Sequence, residues 1–206
     1  MSEKKRLNIV VTLIYILVFT GLLIYNLIHK SWFFFDAVIS IVLAIYFYYL
    51  SNKFDIGWAG LLFANLVVFC HDLGSFDAYK GTIFGIGYDS EVHFFGSCVG
   101  AILGMKIIPK SLNVFYSKNS FRKNFFLILS IISIVLFFGI VIEFIEFTGY
   151  SMGVYSTNMF SPTDLDLRTP NYLYVDTIGD LIANVTGALT GVIIYFLFHK
   201  KRKHKQ

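Results

Sequence analysis

The sequence predicts an all-α integral membrane bundle of about six transmembrane helices, with both termini cytoplasmic. Composition is the first observation behind this: of 206 residues, 56% are hydrophobic, 18% aromatic and only 15% charged, and mean hydropathy is +0.68. Soluble domains do not have that balance. The second is that six stretches each approach the ~20 apolar residues needed to cross a hydrocarbon core. The third is that Lys and Arg collect at alternate boundaries of those stretches, as cytoplasmic loops require.

The first stretch, Leu7 to Ile28, follows Lys4, Lys5 and Arg6. It exceeds the apolar core of a cleaved signal peptide and no small-residue cleavage site follows it, so a signal anchor is expected. The second, Trp32 to Leu50, is followed by Lys53, and the third runs from Ile56 to Leu73. The fourth, Glu91 to Ile108, is short and opens on charge. An interfacial segment is its alternative reading, but omitting it would place the basic stretch around Lys106, Lys110, Lys118, Arg122 and Lys123 on the wrong side. Phe125 to Thr148 and Tyr172 to Phe198 complete the set, and a tail of Lys200, Lys201, Arg202, Lys203 and Lys205 closes the chain. Only Lys30, Lys80 and Arg168 fall opposite. The net charge of +4 is therefore a topology signal, with no nucleic-acid partner expected and membrane lipids as the natural partners. Residues 1–206 read as one domain in the cell membrane, its tail able to meet anionic lipid.

Acidic residues were not used in orienting the chain, yet most fall on the side opposite the basic clusters. Asp36 opens the second stretch, Asp72 closes the third, Asp89 and Glu91 open the fourth, Glu143 and Glu146 close the fifth, and Asp176 and Asp180 open the sixth. Residues three or four apart share a helix face. Asp89, His93 and Ser97 therefore form one stripe, Glu143 with Glu146 a second, and Asp176, Asp180 and Asn184 a third. Ionisable groups at membrane depth are costly unless they face protein or water, so the three stripes are expected to line one outward-facing pocket. Glu91 points away from that face. The bland alternative is that residues at helix ends snorkel into the headgroup layer, or that His93, Glu143 and Asp180 pair merely to pin helices together. His71 and Asp72 are adjacent, so only one of them need face inward.

Gly96, Gly100 and Gly104 recur every four residues, as do Gly187 and Gly191. Small residues at that spacing let helix backbones approach, which predicts close packing of the fourth and sixth helices beneath the polar mouth. Asn65 is the main polar group at mid-depth. Cys70 and Cys98 read as free thiols, and the sequon at Asn184 falls inside a helix.

The blocks "YDSEVHFFGSCVGAILG", "EFIEFTGY" and "YVDTIGDLIANVTGALTG" resemble the VanZ-like and, more closely, the YjdF-like multi-pass membrane proteins. The shared pattern is a YD-x-x-x-H-F opening, a glutamate pair ending the next helix, and a final D-x-x-x-D-x-x-x-N-x-x-G-A helix. It falls here on Asp89, His93, Glu143, Glu146, Asp176, Asp180, Asn184, Gly187 and Ala188, and spans about residues 88–198. An aromatic, commonly tryptophan, often follows the glutamate pair, and Phe147 stands in that place. The resemblance implies a cell-envelope setting and a role in lipid or lipid-linked headgroup chemistry.

Carboxylates with one histidine suit two chemistries. His93 with two or three of Glu143, Glu146, Asp176 and Asp180 supplies the ligands of a divalent cation such as Zn or Mn. Alternatively, a carboxylate orients His93 as a general base. Phosphoryl chemistry favours the cation, because so acidic a site would otherwise repel a phosphate. The first expectation is a membrane-embedded enzyme, a lipid-headgroup hydrolase or transferase, with Asp89, His93, Glu143, Glu146, Asp176 and Asp180 catalytic. Ser97, Asn184 and Arg168 are its expected substrate contacts, Arg168 reaching an anionic headgroup from the loop Gly149 to Asn171. A proton or cation transporter and a purely structural bundle are the other two readings.

Overall fold

The computed structural model describes residues 2–31, 33–76, 78–83, 86–111, 121–151 and 170–203. Among the described residues, six helices are long and apolar enough to cross a membrane: α1 (Glu3–Ile28), α2 (Phe34–Phe54), α3 (Trp58–Asp72), α4 (Tyr88–Ser111), α5 (Phe121–Ser151) and α6 (Pro170–Lys203). Local chemistry sets several of the boundaries. The Ser2 side chain caps α1 by accepting from the Lys5 amide. Asp55 ends α2 in the left-handed region at φ 57°, and Gly57 turns the chain into α3 at φ 86°, a conformation glycine adopts without strain. Pro170 opens α6, where its missing N–H costs nothing. α4 extends about a turn beyond the apolar run at its start, taking in Tyr88 and Asp89. The loop before it is more ordered than composition suggests: two 3-10 turns, Leu73–Phe76 and Ala78–Lys80, precede a short antiparallel pair, β1 (Thr82–Ile83) and β2 (Ile86–Gly87).

Two apolar clusters organise the helices. Phe19, Leu22, Ala37 and Ala44 join α1 and α2, with Val68 and Phe69 of α3 against them. Ala101, Met105, Leu127, Ile131, Ala188 and Val192 join α4, α5 and α6. Contacts of α3 with α4 connect the two groups. Large apolar side chains elsewhere point outward, Leu17 at 71% exposure and Phe137 at 61% among them, as a lipid-facing surface requires.

The bundle has a basic and an acidic end. At the basic end Lys4 pairs with Asp55. Lys110 Nζ donates to the Phe54 carbonyl at 2.6 Å and Lys106 Nζ to the Ile56 carbonyl at 3.2 Å, so cations meet the carbonyl end of the α2 dipole. This half is not purely apolar: buried Asn8 donates to Ser51 Oγ at 3.0 Å, and Thr12 is buried one turn further on. Asn65 is fully buried, its amide donating to the Leu61 carbonyl at 2.8 Å.

The close approach of α4 and α6 is carried by Gly187 and Gly191. A Cβ on either would stand 2.2 Å from a backbone oxygen of α4, that of Phe94 or Cys98 respectively. The glycine stripe of α4 faces elsewhere: a Cβ on Gly100 or Gly104 would meet Val135 or Ile131 of α5, and one on Gly96 would meet Val67 of α3. Thus the glycines of α6 make the α4–α6 seam, while those of α4 admit its other neighbours.

Candidate functional site

α4 and α6 run parallel, because one helix intervenes between them in the chain. Equal rise per residue then keeps two four-residue ladders in step along the seam. Ser90 meets Asp180, His93 and Ser97 both meet Asn184, Phe94 meets Gly187, and Cys98 meets Gly191. The upper rungs are polar and the lower ones small, so a polar chamber sits above a tight base.

Within the chamber, ligating atoms of Asp89, His93 and Asp180 all lie within 4.8 Å of one another. From α5, Glu143 Oε1 comes to 3.5 Å from His93 Nε2, and Asp89 Oδ1 lies 3.7 Å from the same nitrogen. His93, Glu143 and Asp180 are buried. Asp180 Oδ1 accepts from Ser90 Oγ at 2.6 Å, while its Oδ2 and Glu143 Oε1 are buried with no hydrogen-bond partner among the described residues. Buried carboxylate oxygens ordinarily find one. Asp176 and Glu146 are half-buried and within electrostatic reach of the centre, Asp176 beside Asp180 and His93, Glu146 beside Asp89 and Glu143. The six acidic and imidazole groups singled out in the sequence are therefore neighbours in space.

The expected substrate contacts divide. Ser97 and Asn184 are buried and bonded to each other, Ser97 Oγ donating to Asn184 Oδ1 at 2.6 Å. The Asn184 amide nitrogen donates to His93 Nδ1 at 3.2 Å. They hold the floor of the chamber. Arg168 and most of the loop Gly149 to Asn171 lie outside the described residues.

Three features escaped the sequence reading. Ser90 lies on the same face as His93 and Ser97, at spacings of three and seven, and that spacing is the signal that marks it. Tyr79, from the loop, stacks edge-on against Tyr88 with centroids 5.5 Å apart. Burial and the nearby Asp89 and Glu146 carboxylates push its phenol well above the ordinary value, and its hydroxyl shares a hydrogen bond with His71 Nδ1 at 2.7 Å. Asp36 and Asp72 are buried at 4% and 2% exposure and interact with one another. His71 and Asp72 thus both serve the interior, His71 through Tyr79 and Asp72 toward Asp36.

A family model described as "Predicted membrane protein (DUF2238)" matches residues 7–201. That span takes in the first three helices as well as the region from Tyr88 onward. It supports a membrane family, and not the VanZ-like or YjdF-like relationship in particular. No curated protein and no solved structure matches the chain.

Proposed function

The chain belongs to the DUF2238 family of predicted membrane proteins, and on that premise we propose that its acidic chamber holds a divalent cation and acts on the headgroup of a lipid or lipid-linked molecule. One observation carries the reading: three donors from two helices converge within 4.8 Å, beside a fourth, Glu143, whose buried Oε1 has no hydrogen-bond partner among the described residues. One nitrogen with carboxylate oxygens suits Zn or Mn. A cation there would supply the positive charge that a phosphate-bearing headgroup needs at so acidic a site.

The chain's own residues have separable roles. Ser90 fixes one oxygen of Asp180 and leaves the other free toward the chamber. Glu143, next to His93 but on a different helix, would add the fourth ligand oxygen to Asp89, His93 and Asp180. Asp89, at the start of α4, and the half-buried Asp176 and Glu146 form the rim that a headgroup would pass. The proposed setting is the cell membrane, with both termini cytoplasmic and the chamber at the outer leaflet, which follows from the positive-inside distribution of Lys and Arg.

A cation or proton carrier is the second reading, and the buried Asp36 and Asp72 favour it, because they add two carboxylates from α2 and α3 at the same acidic end as the chamber. Two measurements separate the readings. Purified protein dialysed against Zn or Mn is expected to retain about one ion per chain, and Glu143→Ala to lose most of it. Lipid profiles of cells with and without the protein should differ in one headgroup class. Ion uptake by proteoliposomes with unchanged lipid profiles would favour the carrier, and no retained metal under saturation would remove the metal mechanism.

A further inference from the structure

We infer that the Asn184 carboxamide is a two-position switch that decides which ring nitrogen of His93 faces the carboxylates. The amide is clamped at both ends, by Ser97 Oγ at 2.6 Å and His93 Nδ1 at 3.2 Å. In this setting the amide nitrogen donates to Nδ1, so Nδ1 presents a lone pair. A neutral imidazole carries one proton, which must then sit on Nε2, pointing between Glu143 Oε1 at 3.5 Å and Asp89 Oδ1 at 3.7 Å. An Nε2 that carries a proton has no lone pair for a cation.

Turning the amide end for end reverses every role. Its oxygen then accepts from an Nδ1–H, its nitrogen donates to Ser97 Oγ, and the Nε2 lone pair opens toward Asp89, Glu143 and Asp180. One proton leaves Nε2 and one arrives on Nδ1, so the ring stays neutral. Both settings are satisfiable because both neighbours can reverse: a hydroxyl donates or accepts, and Nδ1 does either according to tautomer. A leucine or alanine in place of Ser97 would leave one end of the amide unbonded in either setting, so that neither would be held. Room for the amide comes from α5, where a Cβ on Gly139 would stand 2.5 Å from Asn184 Nδ2 and 2.9 Å from its Cγ. Metal-bound histidines generally donate their second N–H to an acceptor that fixes the tautomer, and the reversed Asn184 is that acceptor. The cation-loading half of the inference rests on the metal reading above; the tautomer half does not.

The test is nitrogen-15 NMR of ring-labelled histidine in the purified full chain at mildly alkaline pH, with the His93 signals identified by their loss in His93→Gln. Metal-free wild type is expected to show the Nε2-protonated tautomer. Asn184→Asp, whose side chain only accepts, is expected to show the Nδ1-protonated one without metal and to bind Zn²⁺ about tenfold more tightly. Zn²⁺ added to wild type should produce the same reversal. If Asn184→Asp fails to fold, Ser97→Ala serves instead, expected to show both tautomers once the amide loses its anchor. An unchanged tautomer in whichever variant folds, or an Nδ1-protonated ring in metal-free wild type, overturns the switch. Tautomer reversal in Asn184→Asp with no Zn²⁺ uptake by wild type leaves the switch standing and removes the metal reading alone.

Discussion

Asp55 shows how one residue can serve geometry and charge together. It closes α2 at φ 57°, a conformation that Asp and Asn tolerate better than most residues, and it pairs with Lys4. The hydrogen bond from Lys4 holds its carboxyl below the ordinary value, with the charges of Lys4, Lys110 and Lys106 adding to this. A depressed folded value means the pair's stabilisation is complete above the unfolded value of about 3.9, and is lost as pH falls through the lower folded value. Asp55→Asn keeps the left-handed turn and removes the charge. Its Tm in detergent should lie slightly below wild type at neutral pH, with the gap closing in strong acid; a gap independent of pH would assign the effect to the turn instead. The chamber residues were equally legible one at a time, because charge at membrane depth is rare enough to single out His93, Glu143 and Asp180. The orphaned oxygens of Asp180 and Glu143 were not, since an unmet hydrogen bond exists only in three dimensions.

Among the elements, the α4–α6 seam decides whether the chamber exists. Its small residues let the helices approach until the backbone of α4 fills the space where Gly187 and Gly191 lack a Cβ. Gly187→Ala would force that Cβ against the Phe94 carbonyl, whose 2.2 Å separation cannot be relieved by turning a side chain. The expected cost is about 2 kcal/mol or more, read as a lowered Tm. Separating the helices would also draw Asp180 away from Asp89 and His93, so metal retention should fall with it; normal retention in a destabilised Gly187→Ala protein would show that the ligands do not depend on this seam. The four-residue glycine spacing was visible in the sequence, and close packing followed from it. Which neighbour each stripe met was not visible, because the spacing describes one face of one helix and is silent about rotation around its axis.

Across the whole molecule, segregation of charge separates a basic end from an acidic one, and the positive-inside rule turns that into an orientation. In cells carrying His29→Cys or Ser111→Cys, with Cys70 and Cys98 replaced by alanine, a membrane-impermeant maleimide should label position 29 in intact cells and position 111 only after lysis. The opposite pattern would place the acidic chamber in the cytoplasm. By itself the sequence determined the all-α class, the six apolar helices and the set of residues that crowd the acidic end, because apolar runs of about 20 residues cross lipid as helices and each buried charge among them is conspicuous. The tertiary structure alone decided which glycines line the α4–α6 seam, that Asn184 clamps His93 while Ser90 holds Asp180, and that Asp36 and Asp72 interact across α2 and α3. Helical periodicity fixes which residues share a face, but only packing fixes which faces meet.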